Sequence, residues 1–212
     1  MNAEPFAWNV VIVGAWNVNI LTPDGIRRRL LKLPDGTPLE VEVSLDRPGP
    51  YRILHEGLLI VPSSRGLEVA PQKHDLASML KAGQVARAAL DALPETPVSA
   101  TGVNIRYKLG TLPDDLIDLL KAPLDDTFSD ANYTIESRLT RRALSYQPGV
   151  INVEAIQDGV GGGAINLNFH RESPLMDDHK GWISRIEEFV LESKKLLPLL
   201  TKSVDFTWGD GS

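Results

Sequence analysis

Ala164-Ile165-Asn166-Leu167-Asn168-Phe169-His170 decides how this chain folds. Ile165, Leu167 and Phe169 share one parity; Asn166, Asn168 and His170 share the other. A strict period of two is a strand with one buried and one polar face. Residues 151–155, Ile-Asn-Val-Glu-Ala, carry the same alternation one strand earlier. Between them lies Asp158-Gly159-Val160-Gly161-Gly162-Gly163. Glycine admits positive φ, so this join reads as a hairpin loop. After Ser173-Pro174 the period changes. Trp182, Ile183, Ile186, Phe189, Val190, Leu196 and Leu197 recur every three to four residues, the stripe of a long amphipathic helix. Asp177 and Asp178 at its start and Lys194 and Lys195 near its end suit the helix dipole, and Pro198 kinks or ends it. An apolar stripe beside apolar strand faces predicts a sheet covered on one side by a helix.

Working backwards, residues 6–21 are rich in Val, Ile and Trp and read as β, with Trp8, Val10, Ile12, Trp16, Val18 and Ile20 on one parity and Gly14 marking a bend. Thr22-Pro23-Asp24-Gly25 and Leu33-Pro34-Asp35-Gly36 read as turns, with residues 26–33 as the strand between them. Residues 39–43, 51–54, 58–61 and 67–69 continue an antiparallel meander, with a loop at 46–50. Residues 74–93 suit a helix that Pro94 and Pro97 end. Residues 98–109 form a strand with Asn104, Arg106 and Lys108 on its polar parity, 113–120 a short helix, 123–130 a loop and 133–146 a long strand. Residues 203–212 keep a small alternation of Val204, Phe206 and Trp208, suited to an added strand, a partner contact or a frayed end.

The order is therefore strands then helix, twice. The expected class is α+β, with antiparallel meanders and hairpins packed against two main helices. No flexible linker separates residues 1–94 from 95–202, so a single integrated domain over 1–212 is expected, with 203–212 as a tail.

The 212 residues are 42% hydrophobic and 24% charged, a globular composition. A net charge of −6 argues against a nucleic-acid binder. The chain has no cysteine, which removes disulfides, thiol nucleophiles and Cys-based zinc sites and fits a cytoplasmic protein. No secretory signal and no apolar run of about 20 residues is seen, so no membrane span is expected.

Tyr51-Arg52-Ile53 with Gly57-Leu58, Thr96-Pro97-Val98-x-Ala100-x-Gly102-Val103-Asn104, and Asn166-x-Asn168-Phe169-His170 together resemble an uncharacterised family of bacterial proteins of this size. That resemblance implies a bacterial cytoplasmic setting and brings no activity or site with it.

Asn166, Asn168 and His170, with Asn104 and Asn152, are the candidate ligand-binding residues, since they could share one polar sheet face. Amides both donate and accept, so a covered face of this kind would read a polar ligand; uncovered, it is a solvated outer face. His170 with Glu172, or with His179 and Asp178, has the chemistry of a metal or proton-relay site but not the spacing, so no metal is expected. The glycine cluster lacks the Lys-Ser/Thr pair and following helix of a phosphate loop. Arg27-Arg28-Arg29 and Arg141-Arg142 read as strand charges that guard sheet edges. Asp114, Asp115, Asp118, Asp125 and Asp126 form an acidic patch without calcium-loop spacing. No serine elbow is present, and no catalytic residue or cofactor is called for. The expected function is non-enzymatic binding, through a protein partner or self-association as a homo-oligomer. The alternatives are a small-ligand binder or enzyme using the Asn/His face, and a virion or assembly component.

Overall fold

The computed structural model describes residues 2–43 and 50–208. Most of the expected 46–50 loop and the last four residues of the tail lie outside them. The strands are β1 (Asn2–Pro5), β2 (Asn9–Gly14), β3 (Glu40–Glu42), β4 (Arg52–His55), β5 (Leu58–Ser63), β6 (Gly66–Pro71), β7 (Val98–Leu109), β8 (Arg138–Tyr146), β9 (Gly149–Gln157), β10 (Gly163–Glu172) and β11 (Asp205–Phe206). The helices are α1 (Pro23–Arg29), α2 (Leu76–Ala92), α3 (Asp114–Leu120), α4 (Leu124–Asp130), α5 (Met176–Ile183) and α6 (Ile186–Leu200). The fold is α+β.

All the strands join one sheet in the order β3-β4-β5-β6-β2-β7-β10-β9-β8, with β1 on β7 and β11 on β1. Every pairing is antiparallel except β1 with β11. The twelve-residue β7 is the seam. Its one edge takes β2 (Val10 opposite Val103) and then β1 (Glu4 opposite Lys108); its other edge takes the whole of β10. The strands before α2 and those after it thus share one sheet. Short local signals set the hairpins. Glu56 and Gly57 both take positive φ, as a two-residue loop with right-handed strand twist requires.

One face of the sheet buries Val10, Ile12, Ile60, Val69, Val103, Ile105, Ile165, Leu167 and Phe169 under the helices. Each fully buried side chain of this size stabilises by about 1.5–3 kcal/mol. Phe189 of α6 stacks on Phe169 with ring centres 4.5 Å apart, and Trp182 of α5 donates Nε1 to Phe169 O at 3.0 Å. Trp8, Trp16 and Trp182 are all buried.

Several elements differ from the sequence expectation. Residues 26–33 are not a strand. Thr22 caps α1, its side chain accepting from Gly25 N, and Pro23 opens the helix, so Thr-Pro-Asp here is a helix start and not a turn. The β stretch at 6–21 stops at Gly14. The loop at 123–130 is α4, which buries no side chain. The long strand at 133–146 begins only at Arg138. The long C-terminal helix is two, broken at Ser184-Arg185, and Pro198 sits within the last turn of α6.

The tail docks on its own chain. Asp115 accepts from Thr201 Oγ1, Lys202 N and Ser203 Oγ at 2.9–3.2 Å. Beyond that clamp Asp205 and Phe206 pair with Asn2 and Ala3. Phe206 and Trp208 pack edge-on against Tyr107, whose hydroxyl donates to Thr207 O at 3.0 Å. No helix among the described residues is long and apolar enough to cross a membrane.

Candidate functional site

The face of the sheet opposite the helices is the one with unassigned polar chemistry. Side chains alternate along each strand, so burying Ile165, Leu167 and Phe169 sends Asn166, Asn168 and His170 outward. Register then aligns them with other strands. Asn168 lies opposite Asn152 on β9 and Asn104 on β7, and Asn104 lies opposite Asn9 on β2. The four amides form one hydrogen-bonded row. Asn152 Nδ2 donates to Asn168 Oδ1 (3.1 Å), Asn168 Nδ2 to Asn104 Oδ1 (2.8 Å), and Asn104 Nδ2 to Asn9 Oδ1 (2.6 Å). The row ends where Asn9 Nδ2 donates to Glu68 Oε1 on β6 (2.5 Å). It crosses five strands.

The row has a direction with a physical cause. An ionised carboxylate only accepts, so Asn9 must turn its NH₂ to Glu68. That leaves Asn9 Oδ1 for Asn104, and the choice passes from amide to amide as far as Asn152. Asn9 and Asn104 are buried at 5% and 7% exposure; Asn152 and Asn168 are half-buried. Gly102 makes room for the row. A Cβ there would meet Asn168 Nδ2 at 2.8 Å.

A second polar row runs beside the first. Arg141 Nη2 pairs with Glu154 Oε1 at 2.6 Å, and Asn166 Nδ2 donates to Glu154 Oε2 at 3.3 Å. Arg106 stands opposite Asn166 in register and donates to Ala7 O. Asn166 Oδ1 is buried and has no hydrogen-bond partner among the described residues. His170 lies on the far side of the first row, opposite Gly102, with Nε2 3.1 Å from Glu172 Oε1. So Asn104, Asn152 and Asn168 come together, while Asn166 and His170 flank them in different rows. Asn9 and Glu68 belong to the site and were missed. Both sit on the polar parity of short alternating stretches, Trp8-Asn9-Val10 and Leu67-Glu68-Val69, but only long-range register places them in the row.

One flank of this face is apolar. Val11 of β2, Leu54 of β4, and Leu59 and Val61 of β5 share the polar parity and are half-buried. No helix covers the face among the described residues.

The other candidate groups have structural partners. His179 is on the opposite face from His170, fully buried, with Nε2 2.9 Å from Ser173 O and Nδ1 3.0 Å from Thr101 Oγ1. A carbonyl only accepts, so Nε2 carries hydrogen. Asp178 accepts from Ser173 Oγ and Arg171 Nη2, both at 2.6 Å, and those bonds hold its carboxyl below its ordinary value. The His170–His179–Asp178 grouping, which the sequence offered only as a minor candidate, does not form. In the glycine loop, Asp158 Oδ1 accepts from Val160 N and Gly162 N, so the loop's own carboxylate fills the place a phosphate would take. Arg27 is on α1, not a strand, and is buried between Asp24, Asp35 and Pro34 O. Asp115, Asp118 and Asp125 are each engaged, by the tail clamp, Lys121 and Arg138 respectively. Among the described residues no three His, Asp or Glu side chains are grouped to hold a metal ion. No protein-family model matches the chain, and no curated protein matches it in sequence.

Proposed function

We propose that this is a non-enzymatic binding protein, oligomeric and cytoplasmic, that presents the helix-free face of its sheet to a partner protein. The observation that carries the reading is the composition of that face. A sheet face left to water alternates polar outward; here Val11, Leu54, Leu59 and Val61 face outward beside the amide row. A cluster of outward-facing apolar side chains bordered by hydrogen-bonding groups is what a protein interface, apolar at its core and polar at its rim, presents. Each central amide spends one N–H and one lone pair on the row, which leaves one of each for a partner. The buried, unpartnered Asn166 Oδ1 adds an acceptor that a partner N–H would satisfy.

The test is a pair of outward substitutions, Leu59→Arg and Val61→Arg, at positions whose side chains leave the core intact. The partner recovered with the wild-type chain should be lost with the variants, at unchanged circular dichroism. Retention of the partner would overturn the reading. A small ligand on the Asn/His face is the second reading, favoured by Asn166 Oδ1. It predicts loss of ligand in Asn168→Ala and His170→Ala with no effect of Leu59→Arg.

A further inference from the structure

The nine-strand path of the sheet ends in β3 and β8, and among the described residues neither is paired on its outer side. Open edges recruit other strands, so proteins blunt them or use them. Here the two edges carry opposite charge. β3 is Glu40-Val41-Glu42, fully exposed, and neither glutamate makes an ion pair among the described residues. β8 holds Arg138, Arg141 and Arg142; Arg138 is paired with Asp125 and Arg141 with Glu154, and of the three only Arg141 shares the outer face with Glu40 and Glu42. Among the described residues Arg142 hydrogen-bonds only to Thr140 Oγ1 and Arg141 O.

The backbone geometry matches as well as the charge. Asp158 N donates to Gly162 O at the β9–β10 turn, so even-numbered residues of β9 bond to β10 and odd-numbered ones to β8. By register, the N–H and C=O groups of Leu139, Arg141, Ala143 and Ser145 point to the free edge of β8. The bond from Arg142 Nη1 to Arg141 O agrees, since that carbonyl is reached from the open side. On β3 the same reasoning from the His55–Leu58 hairpin leaves the N–H and C=O of Val41 free.

β3 and β8 are the first and ninth strands of an antiparallel path, so they run in the same direction. A second copy displaced along the sheet therefore brings its β3 parallel to β8 with matching faces. Val41 opposite Arg142 lets Val41 N bond Arg141 O, and Ala143 N bond Val41 O. This register sets Glu40 beside Arg141 on the outer face and Val43 beside Leu144 on the inner one. Val43 and Leu144 are both exposed hydrophobic side chains, at 61% and 37%. A two-fold pairing of β8 with itself, centred on Arg142, would instead set Arg142 against Arg142, a cost and not a gain.

We infer that copies of the chain associate head to tail, the acidic β3 edge of one against the basic β8 edge of the next. A heterologous contact of this kind makes rings or open filaments, not closed dimers. The contact is short and charged, so it forms at high protein concentration and low salt. This deepens the oligomeric part of the proposed function and is independent of what covers the helix-free face.

The experiment is sedimentation velocity on the full chain across concentration, at about 20 mM and 500 mM salt, with two charge reversals. The wild type should pass beyond dimer mass at low salt and return to monomer at high salt. Glu40→Lys/Glu42→Lys and Arg141→Glu/Arg142→Glu should each stay monomeric alone, and an equimolar mixture should assemble again. The glutamate pair has no ion pair to lose among the described residues, so its variant keeps the test valid should Arg141→Glu unfold. The chain has no cysteine, so Val43→Cys/Leu144→Cys should oxidise to a ladder of multimers. A wild type that stays monomeric at every concentration would overturn the inference. So would a closed dimer indifferent to Glu40→Lys/Glu42→Lys.

Discussion

Asn168 and Asn104 stand directly opposite each other across β10 and β7, and Asn168 Nδ2 donates to Asn104 Oδ1 at 2.8 Å. The two residues are 64 positions apart in sequence. Their bond links the C-terminal hairpin to the strand that also carries β1 and β2. A one-residue slip of β10 would turn Asn166 and Asn168 inward and put Leu167 and Phe169 in water, so the row and the core specify the same register.

Asn104→Ala removes two bonds of the row and strands Asn168 N–H and Asn9 Oδ1. It should cost about 1–3 kcal/mol in urea unfolding. Glu68→Gln keeps a bond to Asn9 but removes the acceptor-only end, so it should cost less and give doubled side-chain amide signals for Asn9 and Asn104. Equal costs for the two variants would contradict the directional row.

Two glycines should respond differently to alanine. A Cβ on Gly149 would lie 2.3 Å from His170 O and 2.8 Å from Trp182 Cη2, backbone and a packed indole. Gly149→Ala should cost at least the 1–3 kcal/mol typical of overpacking. At Gly102 the obstacle is the movable end of Asn168, so Gly102→Ala should cost less while breaking the amide row. Thermal unfolding ranks the two, and the reverse order would contradict the packing described.

Stability should fall in acid in two windows, one set by His74 and a lower one in which Asp178 acts with Asp24, Glu56, Asp115 and Asp125. Burial lowers the pKa of His74, whose ring packs edge-on against Trp8 at 6.0 Å. Its folded value lies below its unfolded one, near 6.5, so its contribution is complete above that pH and is lost as pH falls through the folded value. His74→Phe should flatten this limb. Asp178, held low by Ser173 and Arg171, acts in a more acidic window. Its contribution is present above about pH 3.9 and disappears as pH drops through its folded value. Asp178→Asn should reduce that second limb and leave the His74 limb unchanged, as read from unfolding midpoints against pH.

The tail covers Tyr107 and packs beside Trp8, with Trp208 6.2 Å from Trp8. Asp115→Ala removes the clamp on Thr201, Lys202 and Ser203. It should raise acrylamide quenching of tryptophan and speed hydrogen exchange at Ala3. Unchanged quenching and exchange would mean that β11 is held without the clamp.

Local pattern revealed β7, β9, β10 and α2, because alternation and helical spacing there run long enough to exclude each other. It misassigned α1, where Thr-Pro-Asp-Gly serves a turn and a capped helix start equally well, and only the packing of Ile26 decides. It missed α4 because a helix that buries nothing has no apolar stripe to find. The amide row was half visible. Asn104, Asn152, Asn166, Asn168 and His170 were picked out by parity, yet parity does not say which residues share a row. Asn9 meets Asn104 across 95 positions of sequence, through a pairing that no local signal specifies.

The account rests on the helix-free face as a binding surface. Native mass spectrometry of the protein purified gently from its own host, wild type against Leu59→Arg/Val61→Arg, tests this most directly. The account predicts a discrete complex with a second protein for the wild type and its loss in a folded variant. A partner mass that persists in the variant, or a wild type that carries no second protein, would contradict it.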